Sequence, residues 1–435
     1  MPFYATALVL ESGEERAAIV EADAIGFDTE WTERILAAIT DLTGFPRRQI
    51  RFSSSHTHSG PNTFRLATIS EGLDMALSYL ESLPHRIASA VWQAGRNLKP
   101  VRVAAGQGSC DINVNRRFRD AGHGIVVGRN WSGPANRAVG VVRFDDLDER
   151  PVATLLHYAC HGTTMGWQTQ LFTPDFPGPA RQVVERELGG TCLFLQGACA
   201  NLTPRRGFTG DCAVYRKLGT ILGLEAARVA WNIETLPRDE RLTGVQASGA
   251  PIAIYEDAPV DPGPQPLRVA QRSIALPARK FDPPEELEAR AAALRSRMNS
   301  LRNEGGSPDE IRAATAQATQ AGWRAEYARN YYGRETIPWE LMAITIGSSI
   351  ALVSVPGEPF TETAMEIASR SPYPHTFVSG YSNGGFGYIP TAQAFAEGGY
   401  ETEATPFSAT AADVLAGEAV RLLREMAAAP AGRQH

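Results

Sequence analysis

The chain has 435 residues, of which 43% are hydrophobic and 21% charged, a balance typical of a folded soluble protein rather than a disordered one. The formal net charge is -6 and no basic block stands out, so we do not expect nucleic acid as a partner. The N-terminus lacks the features of a signal peptide, and no apolar run is long enough for a bilayer span. Together with five sparse cysteines, this predicts a cytoplasmic protein with no stable membrane insertion.

The first half of the chain alternates between strand-like and helix-like patterns. Apolar periodicity predicts strands over 4–10, 16–25, 101–105, 139–144, 152–160 and 192–197. It predicts helices over 29–42, 73–98 (with a break at Pro84), 179–188 and 213–233. This alternation indicates an α/β architecture.

The second half is less regular. Residues 240–280 look β-rich, 341–355 predict a β-hairpin, 376–379 a strand and 414–426 a closing helix. Between them, the Ala-, Arg- and Glu-rich stretch 284–335 predicts an inserted helical hairpin, with Ser307 as the N-cap of its second helix. We therefore expect one large α/β catalytic domain over 1–435, with mixed sheets flanked by helices. The insertion is either a purely structural element or a lid.

A histidine pair follows an apolar stretch that ends in a Gly-Pro turn. The sequence from Arg51 reads Arg-Phe-Ser-Ser-Ser-His-Thr-His-Ser-Gly-Pro. If the strand continues through it, its period of two places His56 and His58 on one face. Such a pair forms half of a metal site; the alternative is two surface histidines near a turn.

Two further strand ends carry ligand-type side chains. His161 ends an apolar stretch before Gly162, and Glu358 lies in a Pro-Gly-Glu-Pro turn after another. Two histidines, a carboxylate and an open position are typical of a catalytic zinc site, at which the metal activates water. His157, four residues before His161, is either a buried hydrogen-bonded histidine or a residue that supports a ligand.

A competing nucleophile pattern is present at Gly380-Tyr-Ser382-Asn-Gly384, which matches Gly-x-Ser-x-Gly. A nucleophile elbow must lead into a helix, and the glycine-rich sequence that follows does not favour one. We therefore predict that Ser382 is a loop residue.

Five motifs in order resemble the N-terminal catalytic domain of the neutral/alkaline (non-lysosomal) ceramidase family. They are His-Thr-His-Ser-Gly-Pro at 56–61, Cys160-His161-Gly-Thr-Thr-Met165, Asn201-Leu-Thr-Pro204, Pro356-Gly-Glu-Pro359 and Gly380-Tyr-Ser-Asn leading to Gly-Tyr388. The resemblance implies one zinc ion per chain, with ligands at His56, His161, Glu358 and Tyr388.

The resemblance also assigns residues to the substrate side. His58 and, by their positions in family motifs, Arg116 and Tyr400 would face the substrate, as donors to a developing oxyanion or, for His58, in proton transfer. Thr203 stands where the family has a serine. Asp175 resembles a family loop residue that would orient a ligand from behind, or it is simply a turn-forming aspartate.

These features predict a zinc-dependent amidohydrolase that is ceramidase-like rather than a true ceramidase. The family's C-terminal immunoglobulin-like domain has no counterpart in the sequence, so we expect a small or medium-sized amide substrate other than ceramide. The alternatives are an esterase, lactonase or carbamate hydrolase, a hydrolase of N-acyl-sphingosine itself, and a non-catalytic zinc-binding relative. A homo-oligomer is compatible with the sequence.

Overall fold

The computed structural model describes residues 1–64, 72–385 and 387–429. Within these ranges, no helix combines the length and the apolar character required to cross a bilayer.

The described chain contains short and medium-length strands throughout. They are β1 (Ala5–Ser12), β2 (Glu15–Ala22), β3 (Ile50–Ser54), β4 (Val101–Ser109), β5 (Asn113–Asp120), β6 (Gly124–Asn130), β7 (Ala138–Asp146), β8 (Pro151–Tyr158), β9 (Thr191–Gln196), β10 (Leu202–Pro204), β11 (Arg238–Ser248), β12 (Ala250–Pro259), β13 (Leu267–Pro277), β14 (Thr336–Ile346), β15 (Ile350–Ser354), β16 (Glu358–Pro359), β17 (His375–Ser379) and β18 (Tyr388–Ile389).

Helices separate these strands. They are α1 (Thr29–Thr43), α2 (Leu73–Glu81), α3 (Leu83–Arg96), α4 (Pro177–Leu188), α5 (Cys212–Trp231), α6 (Pro284–Asn303), α7 (Pro308–Tyr331), α8 (Thr361–Arg370), α9 (Ala392–Glu397), α10 (Tyr400–Glu403) and α11 (Ala411–Ala428).

Two four-stranded mixed sheets form the centre of the fold. Their strand orders are β4-β7-β8-β9 and β13-β14-β15-β17, and the pairs β8–β9 and β15–β17 are parallel. A three-stranded sheet, β1-β2-β3, lies beside them, with β2 and β3 parallel. Parallel neighbours need a crossover, which helices α1, α4 and α8 supply.

The sheets pack face to face, and the helices cover their outer surfaces. One apolar cluster joins the inner faces through side chains such as Ile19, Phe144, Leu195 and Leu352. Separate clusters hold α4 and α5 on one outer face and α8 and α11 on the other. Burial of these apolar faces is the dominant stabilising term of such a layered fold.

The prediction of an α/β fold with mixed sheets and flanking helices is confirmed. The stretch 284–331 contains the two predicted helices, and Ser307 caps α7 in a capping box with Glu310. The sequence patterns missed the antiparallel pair β5–β6, since its side chains are mostly polar, and the helix α8.

The strands that lead to the candidate site end close together. Beyond β3 and β8, Thr57 and Gly162 form an isolated parallel bridge, and the His58 N–H donates to the Gly162 carbonyl at 3.0 Å. An added Cβ at Gly162 would lie 2.6 Å from the carbonyl oxygen of His56. Only glycine permits this approach.

We predict that Gly162→Ala destabilises the fold by about 1–3 kcal/mol, because the two backbones must separate to accept the methyl group. The measurement is chemical denaturation monitored by circular dichroism. Gly417→Ala is the matched control, since a Cβ there meets nothing within 4 Å and alanine is favoured inside α11 by about 0.5–1 kcal/mol. A Gly162→Ala protein as stable as the Gly417→Ala protein would contradict the close-approach argument.

Candidate active site

His56 lies in a constrained loop rather than in a strand. Strand β3 ends at Ser54, and His56 has φ = 56°, so the period-two argument for placing His56 and His58 on one face is wrong. The ring is buried, and its Nδ1 lies 2.5 Å from the Ile25 carbonyl, to which it donates. This contact assigns the proton to Nδ1 and leaves Nε2 as a lone-pair donor.

His161 is held in the same manner. Its Nδ1 lies 2.8 Å from the carbonyl oxygen of Cys199, to which it donates, and its Nε2 faces the site. Burial lowers the pKa of both His56 and His161 well below the usual value, and the positive charge of Arg116 lowers that of His161 further. Both imidazoles are therefore neutral near pH 7, the state in which histidine binds a metal.

The carboxylate of Glu358 completes a converging group. Its Oε2 lies 3.4 Å from His161 Nε2 and 3.8 Å from His56 Nε2. Ligand atoms in a tetrahedral zinc site, at about 2.0–2.1 Å from the ion, are about 3.3 Å apart. Two neutral imidazoles and a carboxylate at these separations fit a zinc ion in both chemistry and spacing.

His58 belongs to the same cluster of nitrogen atoms. Its Nε2 lies 3.3 Å from His56 Nε2, and ligand atoms of His56, His58 and His161 all lie within 4.8 Å of one another. Unlike the other two, His58 is exposed. The geometry therefore allows His58 either as a ligand or on the open side, and its predicted role towards the substrate stays a prediction.

Tyr388, predicted as a ligand, sits beside Glu358. The two residues are register partners in the short parallel pair β16–β18, which places their side chains on one face. Burial and the Glu358 carboxylate raise the pKa of the Tyr388 hydroxyl well above its usual value. The Tyr400 ring packs on Tyr388 with a centroid distance of 5.4 Å.

Arg116 reaches the same group from β5. Its Nη1 lies 3.0 Å from His161 Nε2, and its guanidinium carbon lies 5.4 Å from the centre of the Tyr388 ring. Its Nη2 is buried without a hydrogen-bond partner among the described residues. A buried donor in this position suits an acceptor that the protein itself does not supply.

Glu401 is a site residue that the sequence patterns missed. Its carboxylate accepts from Arg116 Nε at 2.8 Å and from Arg117 Nη1 at 2.7 Å, and all three side chains are buried. These contacts fix the direction in which Arg116 points. Spacing alone gives no signal for a pairing between positions 285 residues apart.

Tyr381 and Cys199 are two further residues beside the predicted ligands. The Tyr381 ring stacks on His56 with a centroid distance of 4.0 Å, and its hydroxyl donates to Glu358 Oε2 at 3.3 Å. The Tyr381 oxygen also lies 3.1 Å from Cys199 Sγ. Tyr381 precedes the predicted loop residue Ser382, whose hydroxyl donates to the Gly380 carbonyl.

Asp175 acts on the loop that follows His161. Its Oδ2 accepts the backbone N–H groups of Thr164 at 2.9 Å and Met165 at 3.1 Å, and the side chain is fully buried. This carboxylate therefore holds backbone rather than a ligand imidazole. If Asp175 supports a predicted metal ligand, it does so indirectly, by holding the loop that follows His161.

His157 and Thr203 lie farther from the nitrogen cluster. His157 Nε2 donates to the Val378 carbonyl at 3.0 Å, so its polar contact is with the second sheet. The Thr203 hydroxyl pairs with that of Thr163 at 3.3 Å. Neither contact joins these side chains to His56 or His161.

An open groove begins at His58. It has a volume of about 360 Å³, and its wall includes Thr163 and several exposed apolar side chains, namely Trp167, Leu171, Phe172 and Phe208. A second groove of about 410 Å³, lined by Thr203 and Phe118, shares Phe208 with the first. The exposed face of the histidine cluster thus opens onto apolar surface.

Comparison with known sequences agrees with the motifs. Residues 1–199 match the family described as neutral/alkaline non-lysosomal ceramidase, N-terminal. A neutral ceramidase of Oryza sativa subsp. japonica is 24% identical over 223 residues, which are 49% of this chain and 28% of the rice protein. Neutral ceramidase B of Dictyostelium discoideum is 22% identical over 188 residues, 42% of this chain and 26% of that protein. The aligned segments thus span less than a third of either relative.

The fold extends this similarity over the whole chain. The crystal structure of neutral ceramidase from Pseudomonas aeruginosa superposes with a TM-score of 0.64 at 17% sequence identity, covering 100% of this chain and 71% of that one. The structure of a ceramidase complexed with C2 superposes with a TM-score of 0.62 at 16% sequence identity, covering 99% of this chain and 71% of that one. At these identities the likeness is one of fold.

We predict that His157 makes the fold less stable in acid. Burial lowers the pKa of His157 from 6.5 to about 4. Between pH 4 and pH 6.5 this histidine is therefore protonated in the unfolded chain but neutral in the folded chain. The contribution of His157 to the free energy of unfolding is complete above pH 6.5. It decreases by about 1.4 kcal/mol for each unit by which the pH falls below that value, down to about pH 4. Denaturation titrations over this range should give a shallower pH slope for His157→Gln than for the wild type. The exposed His85→Gln protein should keep the wild-type slope, and equal slopes for all three would contradict the prediction.

Proposed function

Since residues 1–199 belong to the neutral/alkaline non-lysosomal ceramidase family, we propose that this chain is a zinc-dependent hydrolase that cleaves a C–N amide bond. The observation that carries the proposal is that Glu358 Oε2 lies within 3.8 Å of both His56 Nε2 and His161 Nε2. Each imidazole is anchored through its other nitrogen, as in known zinc sites. We also propose one zinc ion per chain and a cytoplasmic location.

His56, His161 and Glu358 would hold the ion, with Tyr388 at their side. Zinc bound there supplies Lewis-acid polarisation and a water molecule of lowered pKa. Tyr381 donates to Glu358 and stacks on His56, so it fixes two of these side chains at once. Such support keeps ligand geometry within the narrow tolerance that a catalytic site requires.

Arg116 is the group best suited to stabilise charge on the substrate. Its Nη2 is a buried donor with no hydrogen-bond partner among the residues described, and Glu401 holds the guanidinium in place through Nε. As an amide carbonyl is attacked, negative charge develops on its oxygen, and a fixed donor aimed there lowers the barrier. Tyr400, whose ring lies 5.9 Å from the Arg116 guanidinium carbon, is the second candidate donor.

His58 is the candidate for proton transfer to the leaving amine. It is the exposed member of the histidine cluster and lies at the start of the groove. The leaving nitrogen must gain a proton as the C–N bond breaks, and an imidazole within reach would take a proton from the attacking water and pass it to that nitrogen. Thr203 lies behind this region, with its hydroxyl on Thr163 of the groove wall.

For the substrate we propose a small or medium-sized amide with an apolar portion, other than ceramide. The groove at His58 is open and about 360 Å³ in volume, which suits a single apolar group. The alternatives are an ester, lactone or carbamate in the same position, ceramide itself, and binding without turnover. Matched amide and ester substrates with the same acyl group, run beside a ceramide, distinguish these outcomes.

We predict that His161→Ala and Glu358→Gln lose zinc and activity together. Purified wild type should contain one zinc per chain by elemental analysis, whereas both variants should fall well below this and lose on the order of 10³-fold in kcat/KM, about 4 kcal/mol. His85→Ala, which changes an exposed histidine on α3, is the control and should retain both. Full zinc content and unchanged turnover in the two site variants would rule out the proposed metal site.

We predict that His58→Ala keeps the metal but loses the reaction. Zinc content should stay at the wild-type level while kcat falls by about 10²- to 10⁴-fold, the usual contribution of a general acid or base. Loss of zinc in this variant would make His58 a ligand instead. Parallel zinc analysis of His56→Ala, which should lose the ion, calibrates the comparison.

A further inference from the structure

A β-hairpin projects from the body of the protein without packing on it. It consists of β11, β12 and the turn residue Gly249, and we call these residues, 238–259, the arm. Every residue of both strands, 11 in β11 and 10 in β12, is exposed. The root is fixed, because Arg238 forms an ion pair with Glu149 at 2.6 Å and the Val260 N–H donates to the Pro237 carbonyl. The arm is therefore a defined projection and not a loose end.

Apolar side chains cover one face of the arm. Cross-strand partners share a face, and the register pairs Leu242 with Tyr255 and Val245 with Ala253. Tyr255 and Ala253 alternate along β12, so these two pairs lie on the same side. Leu242, Val245 and Tyr255 are 55%, 66% and 56% exposed, respectively. Apolar residues that could form a core are here left in water.

The opposite face is also partly apolar. Ile252 and Ile254 lie there, 46% and 38% exposed. An isolated two-stranded hairpin is at best marginally stable in water, and its outer edges present unpaired backbone groups. An apolar arm of this kind gains stability when a protein surface covers it, and exposed apolar patches of this kind mark such contacts.

We propose that the arm is a dimerisation element whose partner is a second copy of this chain. The arm holds two arginines and four acidic residues, a net charge of -2, which disfavours nucleic acid and anionic lipid. Its 21 strand residues, taken over both faces, are at the lower end of the 20–30 residues that each side of a standard protein interface contributes, about 800 Å², so a standard interface would cover the arm on both faces.

Self-association also fits the pattern of charge and apolar surface. In a two-fold dimer the same patch meets itself, so it needs no complementary charge on the partner. The apolar face, with Leu242, Val245 and Tyr255, satisfies this condition, because its charged residues lie towards the root. Pairing of edge strands between copies would also satisfy the free backbone groups of the arm.

The test is sedimentation equilibrium of the full-length protein across a range of concentrations. We expect the wild type to sediment as two chains and Leu242→Lys as one, because a lysine on the apolar face must be desolvated in the dimer. Leu224→Lys is the matched control, since Leu224 is 50% exposed but lies on α5, outside the arm. It should remain a dimer.

A second variant separates the interface from folding. Replacing residues 239–258 with Gly-Ser joins Arg238 to Pro259, which are already cross-strand neighbours. This protein should be monomeric, with an unchanged circular dichroism spectrum outside the lost strand signal. A monomeric wild type, or a dimer that survives both Leu242→Lys and the replacement, would overturn the proposal.

Discussion

The backbone contact between Thr57 and Gly162 is the constraint on which the candidate site depends. Each of the three clustered histidines lies within two residues of this bridge, so the separation of their rings is set by main-chain geometry. The Thr57 hydroxyl donates to the Thr173 carbonyl at 2.8 Å, and Asp175 holds the loop on the other side. An ion that binds here meets ligands already in position, and this lowers the ordering cost of binding.

Much of this arrangement follows from local sequence. The ends of parallel strands collect side chains at one edge of a layered fold, so the positions of His56, His161 and Glu358 shortly after apolar strands predict that they lie close together. The capping box of α7 was equally accessible, because Ser307 and Glu310 lie within one helical turn and need no tertiary information. Such features depend on residues that are close along the chain, so the sequence alone can predict them.

Other features of the candidate site cannot be predicted from the sequence, because they arise from tertiary contacts or from backbone strain. The φ of 56° at His56 is a left-handed conformation that no local pattern signals, and it invalidates the alternation argument although the two rings are adjacent. Glu401 reaches two arginines through a fold-dependent pairing, and Tyr381 resembles any loop aromatic until it is seen stacked on His56. The predicted ligand role of Tyr388 rests on family resemblance and not on spacing.

The convergence of distant strand ends also determines how far this protein can be divided. The family match ends at residue 199. His56 and His161 lie before that boundary, whereas Glu358, Tyr388 and Glu401 lie after it. The boundary crosses continuous structure, since the Ala198 N–H donates to the Val378 carbonyl and the Ala200 N–H to that of Pro359. A fragment that ended at 199 would carry His56 and His161 without Glu358 and would lose these contacts between the sheets, so the matched N-terminal segment cannot form the candidate site on its own.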